Sequence, residues 1–139
     1  TYYGKYRGKV LANEDEKKRG RLQVKIEGFY GTGPIPWALP CVPYAGEGVG
    51  LFLIPPIDAN VWIEFENGDP SFPIWTGCFW SDPNKDLDGE KKIEAPEQKP
   101  NMKVLKTGIG TIEINNGAGA SIKLEGNTVS INNDGLEVT

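Results

Sequence analysis

The strongest structural signal in this chain is a run of ten residues, Val61-Trp62-Ile63-Glu64-Phe65-Glu66-Asn67-Gly68-Asp69-Pro70. Its apolar residues Val61, Ile63 and Phe65 recur at every second position, which is typical of a half-buried β-strand. A turn signal follows at Asn67 to Pro70, because Asn and Gly tolerate positive φ and Pro interrupts strand pairing. The run therefore predicts a strand, a tight turn and a returning strand over Phe72 to Phe79.

Further short strand signals surround this run, and no helical period long enough for a stable helix appears. In Leu22-Gln23-Val24-Lys25-Ile26 apolar and polar residues alternate strictly, and the charged segment Asn13 to Gly20 before it is typical of a hairpin loop. Pro40 interrupts the segment Trp37 to Val42, which places that strand at an edge or a bulge. The remaining predicted strands are Tyr6 to Ala12, Arg21 to Ile26, and Leu51 to Ile54. Five or six short strands in about 75 residues predict a small closed barrel of the OB type.

Composition divides the chain into three parts. The predicted OB barrel occupies residues 1–80. Residues 81–103 are rich in Asp, Glu, Lys and Pro and have no sustained apolar period, so we predict an extended connector there. Residues 104–139 contain no aromatic residue and no proline, and they consist of short repeats. The predicted fold class is all-β throughout.

The repeats of residues 104–139 read apolar-polar-apolar and are separated by Asn- and Gly-rich turns. They are Ile112-Glu113-Ile114, Ile122-Lys123-Leu124, Val129-Ser130-Ile131 and Leu136-Glu137-Val138. Four such strands in one sheet would leave an apolar face and two open edges exposed, which is unstable. One solution is a monomeric meander packed on the barrel. The other is a closed prism of three chains with eight apolar residues inside: Ile112, Ile114, Ile122, Leu124, Val129, Ile131, Leu136 and Val138.

Composition and charge argue against several classes of function. The 139 residues carry a net charge of −4 and a pI near 4.9, whereas general nucleic-acid binders carry a basic surplus. The chain has no histidine, which removes Ser-His-Asp and Cys-His catalysis and the usual zinc-enzyme sites. No apolar run reaches membrane-spanning length. We therefore predict no catalytic, cofactor-binding or metal-binding residues, no cofactor and no specific nucleic-acid partner.

Two local clusters have mainly structural interpretations. Cys41 and Cys78 lie in apolar runs and match no metal or redox spacing, so we predict buried free thiols, with a disulfide as the alternative. In the predicted hairpin loop, the acidic run Glu14-Asp15-Glu16 adjoins the basic run Lys17-Lys18-Arg19, with Arg21 just beyond. Because the opposite charges largely neutralise each other, this loop is interpreted as a solvated hairpin tip rather than a phosphate-binding patch.

Two other functions have some support in the residues. OB barrels commonly bind oligonucleotides or sugars through stacking aromatics, and the candidates here are Tyr30, Trp37, Trp62, Trp75 and Trp80. We interpret most of these as core or inter-subunit packing. The pair Glu64 and Glu66 could act as catalytic carboxylates on one strand face. That face is the solvated one opposite Val61, Ile63 and Phe65, so we predict that the protein is not an enzyme.

The ordered motifs of the first 80 residues resemble the OB domain of the contractile-tail spike family. This family includes the phage baseplate central spike, also called baseplate assembly protein V, and the type VI secretion spike. Besides residues 61–70, the motifs are Gly8-Lys9-Val10, Gly20-Arg21-Leu22-Gln23-Val24-Lys25-Ile26, Trp37-Ala38-Leu39-Pro40-Cys41-Val42-Pro43-Tyr44-Ala45-Gly46, Leu51-Phe52-Leu53-Ile54-Pro55 and Pro73-Ile74-Trp75-Thr76-Gly77. The repeats of residues 104–139 are similar to the family's short trimeric β-helix.

The resemblance implies a homotrimeric needle in the baseplate of a virion tail or related injection particle, assembled in the bacterial cytoplasm. Its OB domains would form a collar against the tail tube and baseplate hub proteins, and its β-helix would puncture the target envelope. Some relatives carry a lysozyme domain, but residues 81–103 are too short for one. Some end in a His-x-His iron site, which a chain without histidine does not support, so we expect either a separate tip-capping protein as a partner or a spike that continues beyond Thr139. The alternative is a monomeric OB-fold binding module for oligosaccharide or nucleic acid.

Overall fold

The computed structural model describes residues 1–81, 93–97, 99–133 and 135–139. The chain divides into two compact units, Thr1–Ala95 and Pro96–Thr139. Most of the predicted connector at residues 81–103 lies outside the described residues. Across the described ranges, no helix is long and apolar enough to cross a membrane.

The first unit is a curled β-sheet. Its strands are β1 (Tyr6–Ala12), β2 (Gln23–Ile26), β3 (Leu39–Pro40), β4 (Ala45–Gly46), β5 (Val49–Gly50), β6 (Asn60–Phe65) and β7 (Pro73–Phe79), and a 3-10 turn covers Glu66–Gly68. Five strands pair in the order β2-β1-β6-β7-β3, while β4 and β5 form a separate hairpin. All pairs are antiparallel except β3 with β7. The predicted strand, turn and returning strand are confirmed as β6, the 3-10 turn and β7.

One side of this sheet encloses the core. The predicted stripe Val61, Ile63 and Phe65 is buried there. The remaining buried apolar residues are Val10, Leu22, Val24, Ile26, Ala38, Ala59 and Trp75. At the far edges of the sheet, Leu22 and Ala38 form an isolated antiparallel bridge in which each amide donates to the other's carbonyl, at 3.0 and 2.6 Å. The predicted OB barrel is therefore confirmed as a curled, OB-like half-barrel, with this single bridge between its two edges.

The second unit is an antiparallel meander. Its strands are β8 (Ile112–Asn115), β9 (Ser121–Glu125), β10 (Thr128–Ile131) and β11 (Leu136–Val138), in the spatial order β11-β10-β9-β8. These strands coincide with the four predicted repeats. Asn132 and Asn133 adopt φ values of 53° and 57° between β10 and β11, which confirms the positive φ expected of those turn residues.

Three sequence expectations for the first unit are wrong. The strand predicted over Trp37 to Val42 lies at a sheet edge as expected, but it is only two residues long, Leu39 and Pro40 of β3. Leu51 to Ile54 form no strand, although the Leu51 amide donates to the Tyr44 carbonyl at 3.0 Å beside the β4–β5 hairpin. Cys41 and Cys78 are both free, as predicted, but they are exposed rather than buried. Cys41 follows the edge strand β3, and an apolar run in sequence does not bury a side chain at a sheet edge.

The charged hairpin loop is more ordered than a solvated tip. The carboxylate of Asp15 accepts hydrogen bonds from the backbone amides of Lys17, Arg19 and Arg21 at 3.0, 2.9 and 3.3 Å. It also forms a bidentate pair with the Arg21 guanidinium, at 2.9 and 2.7 Å. Only 3% of the Asp15 side chain is exposed. Because Arg21 and these amides stabilise the charged form, they hold the pKa of Asp15 well below its ordinary value of 3.8.

Gly8 allows β1 to pass close to the core. A Cβ at this position would overlap Cγ1 of Val24 and lie 3.3 Å from the carbonyl oxygen of Lys25. We therefore expect Gly8→Ala to lower the free energy of unfolding by about 1–3 kcal/mol through overpacking. All four tryptophans lie in the first unit, so denaturant unfolding followed by tryptophan fluorescence measures this domain alone. Gly33→Ala is the control, because its Cβ would meet only ordinary contacts. Equal midpoints for the two variants would contradict the close approach at Gly8.

The lowered pKa of Asp15 predicts how the stability of the first unit depends on pH. Its contribution to stability is complete above the pKa of the unfolded carboxyl and is lost as the pH falls from about 4 towards the lower folded-state pKa. We expect Asp15→Asn to lower the unfolding midpoint at neutral pH and to flatten the loss of stability below about pH 4. Glu14→Gln, which changes an exposed neighbouring carboxylate, should retain the wild-type pH profile. Superimposable profiles for Asp15→Asn and wild type would refute the assignment.

Candidate functional site

The strand register of the second unit places the eight predicted core residues on one face of the sheet. Directly opposed residues of an antiparallel pair share a face, and the pairings link all four strands. One row runs Ile112, Leu124, Val129, Val138, and the other runs Ile114, Ile122, Ile131, Leu136. We call these two rows the apolar face.

The second unit leaves the apolar face uncovered. Seven of its residues are between 36% and 65% exposed, and Ile112 is half-buried. Among the described residues, the buried core draws every member from the first unit. Because burying one Val, Leu or Ile side chain is worth about 1.5–3 kcal/mol, covering eight half-exposed ones is a large driving force for association.

The opposite face of the same sheet is polar. A row of Glu113, Lys123, Ser130 and Glu137 crosses the four strands in register. Glu113 on β8 and Lys123 on β9 carry opposite charges and lie directly across from each other, which favours this register. The sheet is therefore amphipathic, with one face suited to water and the other to a partner.

Asparagine side chains shape the turns between these strands. The Asn115 side chain accepts a hydrogen bond from the Gly117 amide at 2.7 Å. The Asn116 side chain accepts from the amides of Ala118 and Ala120 at 2.9 and 3.0 Å. The sequence pattern identified these residues as turn formers, but only the structure shows that Asn115 and Asn116 act as side-chain acceptors.

Four of the five aromatic residues proposed for stacking pack against or hydrogen-bond to other groups of the first unit, and these four contacts are all different. Trp75 is buried, and its indole donates to the Gly20 carbonyl at 3.0 Å. The Tyr30 hydroxyl donates to the Pro70 carbonyl at 2.9 Å, and burial raises its pKa to about 12. Trp62 packs on Phe79 with ring centroids 4.4 Å apart, under the Arg7 guanidinium. Trp37 lies beneath the Arg21 guanidinium, and Trp80 is 62% exposed.

The candidate catalytic carboxylates are not a matched pair. Glu64 forms an ion pair with Lys5 at 2.7 Å. Glu66 has left the strand and begins the 3-10 turn, so the two do not share a strand face. Within the part of the chain that the structure describes, no group of three or more Cys, Asp or Glu side chains could hold a metal ion.

The first unit also carries an open groove of about 380 Å³ that the sequence patterns did not reveal. Gly20, Pro40, Ile54 and Trp75 line it together with the exposed side chain of Phe52, and we call it the Gly20 groove. The one available signal was the run Leu51-Phe52-Leu53-Ile54, which is too apolar for an ordinary loop and pairs with no strand.

Comparison with known proteins identifies both units. The family described as type VI secretion system/phage-baseplate injector OB domain matches residues 6–80. The phage baseplate V C-terminal trimerisation domain matches residues 82–137. No curated protein matches the chain. With an injector OB domain over more than half of its length and the trimerisation domain directly after it, the chain belongs to the phage baseplate V family.

Proposed function

We propose that this chain is the central spike of a contractile tail or injection-system baseplate, in which three copies form one needle. The observation that carries the proposal is the apolar face, which the second unit leaves uncovered and which, up to Leu136, lies within the segment matched to a trimerisation domain. Three such faces directed at a common axis would exclude water from all eight residues. The polar row containing Glu113 and Lys123 would then face solvent.

A three-fold prism fits this sheet better than a pair of stacked sheets. Two stacked copies would cover the apolar faces, but the backbone groups at the outer edges of β8 and β11 would stay unpaired. In a ring, β11 of one copy would lie beside β8 of the next, which is a head-to-tail contact of the kind that cyclic symmetry closes. Closure would satisfy the edges as well as the faces, and a closed β-structure resists deformation along its axis.

In this proposal the predicted domain plan has a mechanical meaning. Residues 1–80 form the collar that contacts the tail tube and hub proteins. Residues 81–103 connect this collar to residues 104–139, which form the spike that penetrates the target envelope. The protein would be assembled in the bacterial cytoplasm and reside in the baseplate of the virion or injection particle. A separate tip-capping protein would bind at the tip of the spike.

The role is structural rather than catalytic. The two family matches are separated by Ser81 alone, and neither describes a lysozyme domain. The candidate carboxylate Glu64 already has a structural partner in Lys5. Transmission of force through a closed trimer needs no reactive side chain, and this agrees with a chain that lacks histidine.

The apolar face is tested by a pair of neighbouring substitutions on β10. Ile131→Asp would bring three carboxylates together near the axis, at a cost of several kcal/mol per charge, so we expect loss of the trimer. Ser130→Asp adds the same charge on the polar face, between Lys123 and Glu137, where water screens it, and should leave the trimer intact. The measurement is the solution mass by light scattering after size exclusion, at several concentrations.

The wild-type chain should have a constant mass near three times 15.2 kDa. A wild-type monomer would refute the spike and favour the alternative of an OB-fold binding module for oligosaccharide or nucleic acid. If Ile131→Asp assembled as stably as Ser130→Asp, the inward assignment of the apolar face would be wrong.

A further inference from the structure

The Gly20 groove is a built feature of the OB domain. Gly20 is buried with a φ of 70°, and the Trp75 indole is hydrogen-bonded to its carbonyl. A Cβ at Gly20 would lie 3.3 Å from Cδ1 of Ile54, 3.5 Å from Cε2 of Phe52 and 3.6 Å from Cγ of Pro40. Three apolar side chains thus converge on one point. Phe52 itself is 72% exposed, so it forms an apolar wall that no other described part of the chain covers.

The rim of the Gly20 groove is basic. Lys18 and Arg19 line it, and Lys17 is adjacent in the same turn. The Asp15 carboxylate fixes the backbone of this turn through the amides of Lys17 and Arg19, but its charge is paired with Arg21. Within the described residues, the side chains of Lys17, Lys18 and Arg19 form no ion pair. The groove therefore combines an apolar wall with the two cationic side chains of Lys18 and Arg19, while the exposed carboxylate of Glu47 lies between two further lining residues.

The turn between β6 and β7 has the complementary character. Residues 66–72 expose the carboxylates of Glu66 and Asp69 beside Phe72, whose side chain is 58% exposed. The turn is held by backbone hydrogen bonds between Glu66 and Phe72, Asp69 and Glu66, and Phe72 and Asp69, at 2.9 to 3.0 Å. Such a preorganised turn loses little conformational entropy when it docks. We call it the acidic turn.

Three-fold assembly requires two different patches on each copy, because contacts around a three-fold axis are head to tail rather than self-complementary. The OB domain offers one basic apolar groove and one acidic apolar turn, and the two do not share lining residues. Tethering of three OB domains to a common trimer raises their effective concentration around one another, which favours even a weak contact between them.

We propose that the acidic turn of one copy docks into the Gly20 groove of the next, so that three OB domains close into a ring. Phe72 would enter the apolar groove, and Glu66 and Asp69 would face Lys18 and Arg19. The inference rests on the proposed trimeric spike, and it adds the surfaces through which the collar holds itself together.

The test is disulfide cross-linking of the full chain in a Cys41→Ser, Cys78→Ser background. Arg19→Cys combined with Ser71→Cys places one thiol on the groove rim and one on the acidic turn. Mild oxidation should yield a covalent species of three chains on a non-reducing denaturing gel, because a head-to-tail ring links every copy to the next. The control combines Arg19→Cys with Lys25→Cys, an exposed position on β2, and should give little cross-linking.

A charge exchange adds a second measurement. In the Arg19→Cys, Ser71→Cys protein, Lys18→Glu should lower the yield of covalent trimer severalfold. The new carboxylate on the groove rim would then face the carboxylates of Glu66 and Asp69 and repel them. Adding Glu66→Lys should restore the yield. Loss without restoration would point to a damaged groove and would contradict the pairing.

Light scattering of the same proteins separates this inference from the function on which it rests. A trimeric mass with no covalent trimer, with covalent dimers only, or with equal cross-linking of the control would overturn the docking contact and leave the spike standing. A monomeric mass would overturn both. A trimeric mass with covalent trimers specific to the Arg19 and Ser71 pair would support both.

Discussion

The organisation of this protein depends on one constraint: the four short strands of the second unit cannot bury their own apolar side chains. Each strand contributes two, and the register aligns them in two rows on one face. The second unit is a single amphipathic sheet with no second layer of its own, so the face needs cover from outside this unit. Membership of a family with a trimerisation domain at this position agrees with that requirement.

The OB domain, in contrast, buries its own apolar side chains, because its sheet curls so that one part of it packs against another. Val10, Leu22, Val61 and Ile63 are fully enclosed, and the Leu22–Ala38 bridge joins the two edges of the sheet. The domain can therefore devote surface features to contacts rather than to stability. In our proposal the Gly20 groove and the acidic turn are such features, and both are held by hydrogen bonds within the domain.

Local sequence pattern predicted well wherever burial follows from alternation. The β6–β7 hairpin and the four strands of the second unit came directly from period-two stripes and from turn residues. Prediction failed where the outcome depended on distant partners. Leu51 to Ile54 is apolar enough for a strand but pairs with none, and Cys41 lies in an apolar run yet is exposed at a sheet edge. Asp15 looked like one charge among many until the structure placed five donor groups around it.

The sequence by itself determined the all-β class, the two units of different composition and the eight residues of the apolar face, because strand periodicity is written in consecutive residues. Only the tertiary structure decided that the OB sheet is a half-barrel joined at one bridge, and that Lys18, Phe52 and Trp75 share a groove. These features bring together residues far apart in the chain, and their positions depend on how the sheet curls. The way the sheet curls depends on the packing of the whole domain, and no short stretch of sequence specifies it.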